Sequence, residues 1–329
     1  MLTMRAWLPD PEFPDRSDIT GFYRDTLTRV DRLPGVEAVA AVNVRPCLGW
    51  GLGADWDVEG WAPPDPDDPT FLELRIISPS YFSELAIVVD RLRAGARTTI
   101  LTGAGVSAAS GMPTFRGPGG LWKRHRPEAL ATPEAFAKVP VLVWEWYDWR
   151  RQLVAACKPN RAHGVLAAWT RRYRDLRLIT QNVDGLHERA GADGVIRFHG
   201  SLWEVGCWGG CAAAPTRWPD HTVPFATRPP TCSHCGGPLR PGVVWFGEGI
   251  DPAVLAQSDD ATSCDLFLTI GTSSLVYPAA GLVQQARHRG AFTVEINPDA
   301  TVVSDHVDLV LRGTAEAVLD AIEHRVEHR

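Results

Sequence analysis

The residues of this 329-residue chain that could do chemistry fall into a few short clusters. Gly103-Ala104-Gly105-Val106-Ser107-Ala108 is a G-x-G-x-x-A turn set directly behind the apolar run of residues 98–102. Glycines there let a backbone approach a pyrophosphate, while the N-terminus of the helix that follows faces its charge. On its own, such a turn is equally a tight strand-to-helix connection. The hydride-transferring version also wants an Asp or Glu about 20 residues later, at the end of a second strand. Here that region reads Leu121-Trp122-Lys123-Arg124-His125-Arg126, and the next convincing strand starts only at Leu176, which argues against a dehydrogenase.

Four of the seven cysteines cluster as Cys207-x-x-x-Cys211 and Cys232-x-x-Cys235. Four thiolates close a tetrahedral zinc site with no position left for water, so the metal is structural. His234, inside the second knuckle, reads as a solvent-facing turn residue, and Cys47, Cys157 and Cys264 read as small core residues. Gln181-Asn182-Val183-Asp184 follows the strand-like run 176–180. A carboxamide donates and accepts at once and a carboxylate only accepts, which suits an amide ligand; the bland alternative is a polar turn capping a helix. His199, in Phe198-His199-Gly200, brings an imidazole whose ordinary pKa lies near neutrality, as a general base requires. Tyr147 and Arg150, spaced i and i+3 within Trp144-Glu145-Trp146-Tyr147-Asp148-Trp149-Arg150-Arg151, share one helix face. A guanidinium fork with a phenol beside it suits a carboxylate, although by spacing alone a packed amphipathic helix with solvated arginines is the simpler reading.

The order of these segments carries more than any one of them. The glycine turn with Ser110-Gly111-Met112-Pro113-Thr114-Phe115-Arg116, then Thr180-Gln181-Asn182-Val183-Asp184-Gly185-Leu186-His187, Phe198-His199-Gly200, the cysteine pairs, Val244-Trp245-Phe246-Gly247-Glu248, Gly271-Thr272-Ser273-Ser274 and Ile296-Asn297-Pro298 closely resemble the sirtuins, NAD-dependent protein deacylases, over roughly residues 86–329. The resemblance implies NAD as a consumed co-substrate. The carbonyl oxygen of an acyl-lysine attacks the ribose carbon bearing nicotinamide, His199 acts as base toward a ribose hydroxyl, and nicotinamide and 2′-O-acyl-ADP-ribose leave. It further implies that Asn182 and Asp184 hold the nicotinamide amide and its ribose and that Gln181 touches a ribose. Arg116 and Phe115 would cover the cofactor, keeping water from the activated sugar. Gly103, Ala104, Gly105, Ser107, Gly271, Thr272, Ser273 and Asn297 match the phosphate and adenosine side. Val244, Trp245 and Phe246 match a peptide-binding wall, with main-chain pairing around residues 242–246. The family usually separates its first two zinc ligands by two residues; here there are three, so Gly210 stands where the second ligand is usually found and Cys211 reaches in by a wider knuckle.

In the sirtuin branch that prefers acidic acyl groups, a Tyr-x-x-Arg on this helix binds the distal carboxylate of succinyl- or malonyl-lysine, and Thr114 also resembles that branch. The resemblance thus implies a desuccinylase and demalonylase through Tyr147 and Arg150. The alternatives on the same fold are an acetyl-lysine deacetylase, an ADP-ribosyltransferase and an NAD hydrolase. A non-enzymatic alternative is a sensor or scaffold that only binds NAD or its metabolites.

Such residues need a frame. Short apolar runs at 98–102, 176–180, 266–270, 293–296 and 307–311 alternate with helical segments, which predicts an α/β fold: a Rossmann-like, doubly wound parallel sheet. Into it are set a small zinc-binding module at about 201–242 and a helical insertion between the first two strands. Before residue 86 the pattern is a short α+β N-terminal extension: a helical stretch at 21–33, strands at 36–44 and 71–77, and an acidic proline-rich loop at 62–69. Leu33-Pro34-Gly35-Val36-Glu37-Ala38-Val39 and Ile77-Ser78-Pro79-Ser80-Tyr81-Phe82-Ser83-Glu84-Leu85 resemble part of the periplasmic core domain of macrolide-exporter-type ABC permeases, which implies a remnant of that domain at 1–85. Composition is near the globular average, with 45% hydrophobic and 22% charged residues. The net charge of −6 disfavours nucleic acid as a partner. No apolar run approaches the roughly 20 residues of a membrane span, and the start lacks the basic and apolar regions of a signal peptide. The expectation is a cytoplasmic monomer acting on acylated lysines of proteins.

Overall fold

The computed structural model describes residues 79–113 and 130–327. The N-terminal elements expected before residue 78, Cys47, and the segment bearing Thr114, Phe115 and Arg116 lie outside the described residues.

Helix α1 (Pro79–Arg93) leads into strand β1 (Thr98–Thr102), and a 3-10 helix over Ala104–Ser110 follows. Helices α2 (Pro133–Lys138), α3 (Pro140–Ala156) and α4 (Arg161–Arg172) form the insertion expected between the first two strands. Thr132 caps α2 by accepting from Ala135 N at 3.1 Å, with Pro133 at the first helical position, where no N–H is needed. Strand β2 (Leu176–Thr180), helix α5 (Leu186–Arg189) and the two-residue β3 (Ile196–Arg197) follow.

The chain then leaves the main sheet for an antiparallel one made of β4 (Gly200–Cys207), β5 (Trp218–Pro219) and β6 (Leu239–Val243), in the order β5-β4-β6. It returns through α6 (Pro252–Ala261), β7 (Leu266–Ile270), α7 (Leu282–His288), β8 (Phe292–Asn297), β9 (Leu309–Arg312) and α8 (Ala315–Glu327). The main sheet is six-stranded, ordered β3-β2-β1-β7-β8-β9, and every pair in it is parallel.

Every residue of β1 and β7 is buried, as befits central parallel strands covered on both faces. The chain runs outward from β1 through β2 to β3, then restarts beside β1 at β7 and runs outward the other way. The order therefore reverses between β1 and β7, and a crevice at the carboxyl ends of these two strands is where such sheets bind ligands.

That crevice is formed by two loops in close contact. Gly105 N donates to Gly271 O at 2.8 Å, and a Cβ on Gly105 would lie 2.8 Å from Gly271 Cα. Gly271 has φ 60°, and a Cβ there would come within 2.6 Å of Val106 N. The glycines let one loop sit against the other as well as leaving backbone open to a ligand. The helix expected after the turn is present and is of the 3-10 type.

The antiparallel module is tied to α3. Trp144 Nε1 donates to Leu239 O at 2.7 Å, Arg151 pairs with Asp220 at 2.8 Å, and the fully buried Asp148 receives Arg228 Nε at 2.9 Å and Phe225 N at 3.1 Å. One apolar cluster joins α3 residues Val143, Trp144 and Tyr147 to Val205, Cys232, Leu239 and Trp245. Cys264 is buried as expected, whereas Cys157 is only half-buried at the C-cap of α3 and so is not a core residue. Among the described residues, no helix is long and apolar enough to cross a membrane.

Candidate active site and metal centre

A cleft of about 900 Å³ opens at the carboxyl ends of β1, β2 and β7. Of the residues singled out for the dinucleotide, Gly103, Ala104, Gly105, Gln181, Asn182, His199, Gly271, Thr272, Ser273 and Asn297 line it. So do Tyr147, Arg150, Val244, Trp245 and Phe246 from the acyl and peptide set. Ser107 and Asp184 do not; they lie buried in the layer behind it.

That layer is a hydrogen-bond network. Ser107 Oγ donates to Asp184 Oδ2 at 2.8 Å and accepts from Asn182 Nδ2 at 3.2 Å. His163 Nδ1 accepts from Asn160 N at 3.2 Å, so its Nε2 carries the proton and faces Ser107 Oγ at 3.3 Å. Asp184 Oδ1 also accepts from Leu186 N at 2.9 Å, which is the helix-capping role open to a polar turn of this kind. The backbone of the turn is held separately: Asn182 N donates to Thr180 Oγ1 at 3.0 Å, Thr180 Oγ1 accepts from Thr102 Oγ1 at 2.8 Å, and His187 Nε2 meets Thr102 Oγ1 at 3.0 Å. Burial pushes His163 down to about 4 and His187 down to about 3, so both rings are neutral at physiological pH. On the far side, Trp203 Nε1 donates to Asp184 O at 2.6 Å. Asn182 and Asp184 are thereby fixed from three directions before any ligand arrives.

His199 follows β3. Its Nδ1 lies 3.1 Å from Gln181 O, and since a carbonyl only accepts, Nδ1 carries the proton and Nε2 is the basic atom. Burial holds its pKa below the ordinary histidine value, partly opposed by that hydrogen bond, so the ring is neutral and able to accept a proton. Thr272 is the hinge of the opposite wall: its Oγ1 accepts from Gln181 Nε2 at 2.9 Å and from Ser274 N at 3.2 Å, and its carbonyl accepts from Asn297 Nδ2 at 2.8 Å.

Val244 N donates to His199 O at 2.9 Å, Trp245 N to Glu248 Oε2 at 2.8 Å and Phe246 N to Ala131 O at 2.9 Å. These N–H groups are engaged within the protein, so main-chain pairing with an added strand at 244–246 would have to use carbonyls. Arg240 braces the turn from behind, pairing with Glu248 at 2.5 Å with its Cζ 3.8 Å from the Trp245 ring centroid.

Tyr147 is 2% exposed and Arg150 5% exposed, both on the cleft side of α3. Trp245 Nε1 donates to Tyr147 Oη at 2.9 Å, which leaves the phenol its own proton to donate. Burial pushes the Tyr147 phenol up to about 12, so it stays protonated, and burial lowers the Arg150 pKa.

The four cysteines come together as their spacing implied. Their sulfurs all lie within 4.8 Å of one another, with Cys207 to Cys235 at 3.6 Å and Cys211 to Cys232 at 3.9 Å. A tetrahedron with zinc–sulfur bonds of about 2.3 Å has edges of about 3.8 Å, so the set fits zinc, and these separations are too long for disulfides. Gly210 takes φ 59° between the first two ligands, and this turn is how the three-residue knuckle brings Cys211 round. His234 is exposed, as expected. Chelating the metal, or changing Cys232 to Ala, is expected to unfold the module and loosen the cluster it shares with α3. A loss of about 5 kcal/mol, well below typical structural-zinc binding energies, lowers Tm by roughly 10–20 °C. Thermal unfolding with metal content measured in parallel checks this; an unchanged Tm in metal-free protein would exclude a structural role.

His163, His187, Thr102 and Trp203 escaped sequence reasoning. The only local signal was Asn160 three residues before His163, a capping box whose reciprocal partner is an imidazole instead of the usual Glu or Gln. The rest meet the site through contacts distant in sequence.

A crevice at the switch point of a parallel sheet, walled by a neutral imidazole and a preset carboxamide, defines an α/β protein of the dinucleotide-using class. Comparison narrows the class. The Sir2 family profile matches residues 103–278. An NAD-dependent protein deacylase of Aquifex aeolicus is 46% identical over 223 residues, covering 68% of this chain and 92% of that protein. An NAD-dependent protein deacylase 1 of Pseudomonas aeruginosa is 47% identical over 243 residues, 72% of this chain and 97% of its own. A solved Sir2 homologue in complex with NAD superposes with a TM-score of 0.67 at 44% identity, over 74% of this chain and 93% of its own. The chain belongs to the Sir2 family and is a sirtuin enzyme.

Proposed function

We propose that this chain is an NAD-dependent protein-lysine deacylase that prefers acidic acyl groups, succinyl and malonyl. The deacylase reading is supported by family membership and by the names of relatives that this chain matches over more than nine-tenths of their length. Bound NAD would supply a ribose whose nicotinamide-bearing carbon is attacked by the acyl oxygen as nicotinamide leaves, and whose 2′ oxygen finally carries the acyl group. Gly103, Gly105, Thr272, Ser273 and Asn297 would face its phosphates and adenosine side, Asn182 its nicotinamide amide, and His199 Nε2 would take the ribose hydroxyl proton. Ser107 and Asp184 act through the network behind Asn182.

The single observation carrying the acyl preference is a buried guanidinium, Arg150, in the same cleft as His199, beside a phenol that can donate. A guanidinium fork and a phenol proton at the cleft wall suit a carboxylate through charge-assisted bonds, whereas an acetyl methyl has no group to accept them. The division at residue 85 and the permease-like character of residues 1–85 belong to the proposal as the sequence states them.

A mass-spectrometric panel of acetyl, malonyl, succinyl and glutaryl peptides with NAD tests the reading on the full chain. Succinyl and malonyl peptides are expected to turn over fastest. Equal or faster deacetylation overturns the acyl preference, and absence of nicotinamide release with every peptide overturns the deacylase reading itself.

A further inference from the structure

Tyr147 and Arg150 were legible as a pair, but the structure surrounds the guanidinium with more than the pair. Arg150 Cζ lies 4.8 Å from the Trp146 ring centroid and 5.6 Å from that of Tyr147. The Trp146 and Tyr147 rings meet edge to face, centroids 4.7 Å apart at 76°, and Trp146 lines the cleft in its own right. Tyr147 is in turn fixed by Trp245, whose own ring is braced by Arg240 from the antiparallel module. The result is an aromatic seat, held from the zinc-module side, in which the arginine head rests at the cleft wall.

We propose that Trp146 is a specificity-determining residue that holds the Arg150 guanidinium in place to receive the distal carboxylate of an acidic acyl-lysine. The inference rests on the acyl preference proposed above. An indole face is the strongest aromatic partner for a cation, and the attraction grows where water is excluded. It serves two purposes here. It stabilises a charge that burial disfavours, with the field of Asp184 also supporting the cation. It also restricts a long side chain before the ligand arrives, so less rotamer freedom is lost on binding. A flexible arginine could still pair with a carboxylate, but only after paying that ordering cost in each encounter.

The test compares wild type, Trp146→Leu and Trp146→Phe as full chains. Succinyl-lysine and acetyl-lysine forms of one peptide are measured for kcat/KM with NAD and, without NAD, for Kd by fluorescence anisotropy. Trp146→Leu is expected to lower the succinyl-to-acetyl ratio of kcat/KM about tenfold, mainly through KM, with the same change in the ratio of Kd values. Trp146→Phe, which keeps a ring, is expected to recover most of it. General damage to the cleft would weaken both peptides alike and leave the ratio near that of wild type. If wild type prefers the acetyl peptide, the acyl reading fails and this inference with it. If wild type prefers succinyl and the ratio survives in Trp146→Leu, or if Trp146→Phe recovers nothing, only the role of Trp146 fails.

Discussion

His199→Asn is expected to lower kcat by about 10³-fold, within the usual range for loss of a general base, while NAD and acyl-peptide still bind. Asparagine can keep a donor toward Gln181 O, the contact that orients the ring at 3.1 Å, but offers no atom basic enough to take a hydroxyl proton. The loss therefore falls on the chemical step. Nicotinamide release measured beside NAD affinity separates the two: an unchanged kcat, or NAD affinity lost in the same proportion, removes His199 from this role. The same residue sets a pH dependence. Its neutral form is the active one, and burial places its pKa below 6.5. Activity is then present above that folded pKa and lost as pH falls through it, so the acid limb of kcat/KM lies below pH 6.5. A limb at higher pH would assign the base elsewhere.

Arg150→Met is expected to change substrate choice more than stability. A buried carboxylate deprived of its cation typically loses 2–5 kcal/mol, about 30- to 5,000-fold, so the succinyl-to-acetyl ratio of kcat/KM falls by about two orders of magnitude. The folded protein holds most of its stability, because methionine fills similar apolar volume at a position that is only 5% exposed. Acyl-peptide kinetics and thermal unfolding on one preparation check both signs. Parallel loss of activity toward both peptides with a falling Tm would show that Arg150 supports the fold rather than the acyl pocket.

These expectations depend on how far the site could be read before the fold was known. β1, β2 and β7 occupy the segments expected, because parallel strands covered on both faces appear in sequence as short, mostly apolar runs; only Arg177 in β2 is exposed. β8 extends one residue further at each end than expected, and β9 begins at Leu309 rather than 307, since strand ends depend on which neighbour is there to pair with. β3, with two residues, is too short to carry any periodicity. The four cysteines were legible because metal geometry constrains spacing directly, and the glycine turn because close loop contact excludes side chains.

The identity and order of the reacting groups were thus decided by the chain alone: an imidazole between a phenylalanine and a glycine, a carboxamide and a carboxylate two residues apart, four thiolates in two knuckles, an arginine one turn beyond a tyrosine. Which of them face the cleft was decided only by tertiary structure. Ser107 and Asp184 turned out to stand behind Asn182, bonded to each other and to its amide through the Ser107 hydroxyl with His163 against it, and Arg150 came to rest on Trp146. Depth, proton affinity and orientation arise from neighbours brought together across tens of residues, and no local pattern records a sum taken over such distant contacts.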